Sequence, residues 1–93
     1  MIYQINLFKI WWLYDLNIFP NPTSDVINVS ASFEDSKLID VQLIDAVGKV
    51  VSRETFNATN IYTTIDVSDL ASGMYFVKLV SEEGTVVNKV SVK

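Results

Sequence analysis

Carboxylates are the only candidates for acid–base chemistry near neutral pH in this 93-residue sequence, which contains no histidine and no cysteine. The missing types remove imidazole triads, thiol nucleophiles, thiolate zinc sites and disulfides, and leave the redox compartment open. Paired-carboxylate hydrolysis needs two acidic side chains held about 5 to 9.5 Å apart across a cleft. Asp40, Asp45, Asp66 and Asp69 are more simply read as solvent-facing strand and turn residues, since Asp serves turns through its side-chain oxygens. Asp66-Val67-Ser68-Asp69 offers two carboxylates and a hydroxyl to Ca²⁺, but lacks the glycine and closing glutamate of a dedicated calcium loop. Three isolated glycines form no phosphate-binding loop. The triplets Asn28-Val29-Ser30 and Asn57-Ala58-Thr59 match the glycosylation sequon by chance. No catalytic, cofactor or metal site is assigned, and the chain is not expected to be an enzyme. Seven Lys and Arg against eleven Asp and Glu give a net charge of −4, and the scattered cations form no stripe for a phosphate backbone. Nucleic-acid binding is not expected.

The elements that must position these residues are strands. A 49 % hydrophobic chain of this length builds one small core. From Asn17 onward, short runs of β-branched and aromatic residues alternate with turn residues about every ten positions, the pattern of an all-β sandwich. A short strand over 16–19 precedes the breaker Pro20-Asn21-Pro22, where two prolines impose an ordered turn. Strands are then expected over 26–32 (Ile27, Val29 and Ala31 inward), 38–45 (Ile39, Val41, Leu43), 49–56 and 61–67 (Ile61, Ile65, Val67). Two more follow over 74–81 (Tyr75, Val77, Leu79) and 85–92 (Val86, Val90, Val92). Residues 33–37 read as a polar connection and 57–60 as a break. Asp45-Ala46-Val47-Gly48-Lys49 is a hairpin whose Gly48 takes the left-handed conformation. Leu70 and Gly73 mark a compact elbow, with Leu70 plugging the core. The other face of 74–81, with Met74, Phe76 and Val80, is also apolar. Seven antiparallel strands without a helix imply an immunoglobulin-like β-sandwich.

Residues 1–16, MIYQINLFKIWWLYDL, differ in texture. Lys9 and Asp15 interrupt a stretch already too short for a membrane span, and no small-residue cleavage site follows, so neither a span nor a signal peptide is expected. The segment reads as an extension foreign to the domain, a remnant or linker, and Leu7 to Leu13 is prone to self-association unless it packs on the sheet.

Four segments in order resemble one family: Pro20-Asn21-Pro22-Thr23, Asp45-Ala46-Val47-Gly48-Lys49-Val50-Val51, Ile65 to Leu79 (IDVSDLASGMYFVKL) and Lys89-Val90-Ser91-Val92-Lys93. The match runs from about Asn17 to Lys93 and resembles the type A C-terminal sorting domain of the type IX (Por) secretion system of Gram-negative bacteria. The resemblance implies a non-catalytic address label. Its partners would be the outer-membrane translocon and a surface peptidase that removes it, with the parent protein reaching the cell surface through the periplasm. The upstream cargo and export signal would be missing from this chain. Pro20, Asn21, Pro22, Asp45, Gly48, Leu70, Gly73 and Tyr75 are then the structural motif. Lys78, Lys89, Val90, Val92 and Lys93, with the edge of the last strand, are the expected recognition residues. The competing reading is a generic immunoglobulin-like binding or adhesion module, with carbohydrate as one ligand class, which requires a solvent-facing aromatic patch with Trp11, Trp12 and Tyr62 as its members.

Overall fold

A computed structural model describes residues 12–93, apart from the side chain of Ser36. Alternating apolar residues form five antiparallel strands: β1 (Leu13–Phe19), β2 (Val26–Asp45), β3 (Val50–Asp66), β4 (Gly73–Ser81) and β5 (Gly84–Val92). The all-β sandwich-like expectation holds, but the strands are fewer and longer. The expected connection at 33–37 lies inside β2, and the expected break at 57–60 lies inside β3. Each of these strands does the work of two expected ones.

The physical reason lies in the pairing. β2 and β3 stay in register from Val26↔Asp66 to Ser32↔Asn60, shift, and resume from Lys37↔Ala58 toward Ile44↔Val50. Extra residues in β2 are absorbed as an irregularity between Ser32 and Lys37, which bends the strand pair without ending it. The N-terminal half of β2 pairs with β1 and the C-terminal half of β3. The C-terminal half pairs with β4, which in turn carries β5. The sheet therefore folds on itself, and both halves contribute to one core containing Ile27, Val29, Ile39, Leu43, Val77, Leu79, Val86 and Val90. Every inward position named for the strands above is buried.

β1 begins three residues earlier than expected. Leu16 is buried, and Trp12, at 2 % exposure, stacks on buried Phe33 with ring centroids 6.1 Å apart. Its carbonyl accepts a hydrogen bond from Glu34 N–H at 3.2 Å. Residues 12–16 therefore pack as part of the sandwich, so the expected boundary at 16/17 falls inside β1. The greater part of the expected extension, residues 1–11, lies outside the described residues.

Candidate functional site

The conspicuous polar residues are used to close the fold. Asp45 Oδ1 accepts hydrogen bonds from Val47 N–H (3.0 Å) and Lys49 N–H (2.8 Å), while its backbone exchanges bonds with Lys49 and Gly48 across the β2–β3 turn. Gly48 closes this turn at φ +93°, as the sequence demanded. Asp66 accepts from Ser68 N–H (2.9 Å) and Ser68 Oγ–H (2.6 Å), and these bonds hold its carboxyl below the ordinary range. At the elbow, Leu70 is half-buried against the core and Tyr75 is buried. Tyr75 Oη donates to Ala71 C=O at 2.7 Å, which ties β4 to the elbow. Tyr75→Phe should cost about 1 kcal/mol, measured by urea unfolding. No change would mean that water replaces the bond.

The Pro20–Thr23 motif has a role that local reading missed. Thr23 N–H donates to Ser91 C=O (2.9 Å), and Lys93 N–H donates to Thr23 C=O (2.8 Å). The Asn21 side chain brackets the same edge, donating to Lys89 C=O (3.3 Å) and accepting from Ser91 N–H (3.0 Å). This loop covers the C-terminal half of the β5 edge, so backbone groups of residues 89, 91 and 93 expected to await a partner strand are already paired. Val90 and Val92, expected as recognition residues, are 1 % and 2 % exposed and belong to the core. Alternation decides this, because residues flanking an exposed lysine on a one-sided sheet point inward.

Lys89 and Lys93 are exposed and Lys78 is half-buried. The register brings Lys78 and Lys89 onto one outer face: Gln42, Lys78 and Val87 form one cross-strand row, and Ile44, Phe76 and Lys89 the next. Lys93 continues the same alternation beyond β5. At the far end of this face, Arg53 Nε–H donates to Asp40 Oδ2 at 2.8 Å and Gln42 Nε2–H donates to the same oxygen at 2.9 Å. Burial pushes the Asp40 carboxyl up, but the bonds from Arg53 and Gln42 and the Arg53 charge outweigh it and hold the group below its ordinary value. Its second oxygen is buried without a hydrogen-bond partner among the described residues. Lys37 bonds Glu83 at 2.8 Å, joining the bend of β2 to the β4–β5 turn, and that bond raises the Lys37 pKa.

Depressed carboxyl values stabilise the fold above the pKa of the unfolded chain, and the contribution is lost as pH falls through the folded value. Urea midpoints should therefore fall below about pH 4, with a smaller fall in Asp40→Asn. An unchanged acid profile in that variant would remove Asp40 from the account.

Among the described residues, no three His, Cys, Asp or Glu side chains are placed to hold a metal ion. No helix of the described residues is long and apolar enough to cross a membrane. The two described aromatics of the adhesion reading, Trp12 and Tyr62, are not brought together. Trp12 is interior, Tyr62 lies 65 % exposed on the outer face of the other half-sheet, and Trp11 lies outside the described residues.

Among the described residues these features define a small all-β module whose turn, elbow and loop motifs are spent on its own closure and whose outer face over β2, β4 and β5 carries Lys78 and Lys89. A family model described as the secretion system C-terminal sorting domain matches residues 17–93. The chain belongs to that family, and its domain is a C-terminal sorting signal for type IX secretion, a non-catalytic targeting role. The general partner is the type IX machinery, and the destination is the cell surface or extracellular space. Comparison with curated proteins returns no significant match.

Proposed function

We propose that the outer-membrane translocon recognises this domain as a folded sandwich, with Lys78, Lys89 and Lys93 among the contacts, and that a surface peptidase then removes it. The observation that carries this reading is the family match over residues 17–93, the region containing the turn, elbow and edge-loop motifs. A folded label needs rigid presentation of its handles, and the edge loop holds the terminal strand that bears Lys89 and leads into Lys93. Removal by hydrolysis adds water across one peptide bond, releasing a carboxylate on the cargo and an amine on the domain. A peptidase takes its substrate as free extended chain, whereas β1 is paired with β2 and packed from Trp12 onward. The cut therefore belongs N-terminal to Trp12.

The test places the full chain behind a signal peptide and a fluorescent reporter, in cells with and without the translocon. Translocon-dependent surface or medium fluorescence, with the released reporter ending before Trp12, supports the reading. Periplasmic retention in both strains, with the domain folded, overturns it.

A further inference from the structure

The two halves of the sheet present opposite chemistry to solvent. Around β1, the outer face carries Asn17, Ser30 and Tyr62 in one cross-strand row, Asp15, Ser32 and Asn60 in the row on one side, and Phe19, Asn28 and Thr64 in the row on the other, where Phe19 is the exposed apolar exception. These polar groups bond one another: Tyr62 Oη–H donates to Asn28 Oδ1 (3.2 Å) and Ser32 Oγ–H to Asn60 Oδ1 (2.9 Å). This is a solvated face. The other half uses the same alternation but carries Ile44, Phe76, Val80 and Val87, all half-buried, with Met74 exposed at one end and Leu38 at the other. Side chains at such positions are ordinarily polar when one sheet face meets water.

Charge on this second face is segregated against the chain's own balance. Arg53, Lys78, Lys89 and Lys93, four of the seven Lys and Arg in a chain of net charge −4, stand on it or on its continuation. Among its strand residues the one acid is Asp40, which is bonded to Arg53. Lys78 lies directly across from Val87, and Lys89 directly across from Phe76, so the cations are interleaved with the apolar side chains. We propose that this outer face of β2, β4 and β5, centred on Ile44, Phe76 and Val87, docks a protein surface of the secretion machinery whose carboxylates surround an apolar patch. The proposal rests on the sorting reading above and names the chemistry of its partner. Cations interleaved with half-buried apolar side chains favour a complementary protein surface, in which carboxylates can meet Lys78 and Lys89 around an apolar centre.

The experiment uses the same full-chain reporter. K78E/K89E is expected to reduce translocon-dependent export at least tenfold with the melting temperature unchanged, while N17E/T64E on the polar face leaves export intact. Wild-type export with undiminished K78E/K89E export overturns the docking proposal and leaves the sorting reading standing. Failure of the wild type to be exported defeats that reading first. Should charge reversal lower the melting temperature, K78Q/K89Q replaces it, and unchanged export of that variant overturns the proposal. Flotation of the purified chain with phosphatidylglycerol vesicles, lost in K78E/K89E, would assign the face to a lipid surface and also overturn it.

Discussion

Removing Lys89–Lys93 is expected to unfold the domain rather than to strip an exposed tail. Val90 and Val92 are core residues, and burying a valine contributes about 1.5–3 kcal/mol. Lys89 to Val92 pair with β4 from Phe76 to Gly73, and Lys89, Ser91 and Lys93 exchange hydrogen bonds with Asn21 and Thr23. Their loss exposes the inner face of β4 and frees the loop after β1. Since small domains are stable by only about 5–15 kcal/mol, most of that margin disappears. Circular dichroism of the truncated chain should show loss of cooperative thermal unfolding, and a reporter carrying it should not be exported. A truncated domain that melts cooperatively near the wild-type temperature would show that the terminal strand is peripheral. Export failure of such truncations therefore reports the fold first. Point changes at Lys78 and Lys89 are the cleaner probe of recognition.

Trp12→Ala is expected to lower the unfolding free energy by about 3–5 kcal/mol, the range for emptying a large aromatic site in a core. The indole packs between Phe33 and the β4–β5 turn: a Cβ at Gly84 would stand 3.5 Å from Trp12 Nε1, an ordinary contact, and it is the φ of +149° that favours glycine there. Tyr14→Ala, two residues on and 71 % exposed, should change stability by no more than about 0.5 kcal/mol. The comparison is read by urea unfolding of the two full-length variants. Equal, small effects would mean that the packed unit starts where the family match starts, at residue 17. The expected asymmetry places its physical start at Trp12.

Much of this architecture was legible because sheet alternation is a local property. Ile27, Val29, Ile39, Leu43, Val77 and Val90 sit inward as their period of two requires, and Asp45 with Gly48 closes the hairpin as the residue types demand. Continuity was not legible. Glu34, Asp35 and Ser36 look like a loop, yet β2 runs through them, because an irregularity paired against a long β3 absorbs the extra residues. Asn57 and Asn60 look like a break for the same reason. Phe33 and Trp12 were hidden by polar or unfamiliar neighbours, and each is buried by the other.

The candidate site divides along the same line. Exposure of Lys89 and Lys93 and burial of Val90 and Val92 follow from alternation alone, and the apolar outer positions Met74, Phe76 and Val80 were visible as a second hydrophobic period. The capture of Lys89, Ser91 and Lys93 by Asn21 and Thr23 was not, because those partners lie about 70 residues away in sequence and only pairing brings them together. By itself, then, the sequence determined the β-forming segments, their inward faces, the turns and the family motifs, all of which depend on neighbours a few residues apart. Tertiary structure alone decided that Pro20–Thr23 closes the β5 edge, that Trp12 belongs to the core, and that Lys78 and Lys89 share one face with Phe76 and Val87. Those outcomes depend on register between distant strands, which no local period encodes.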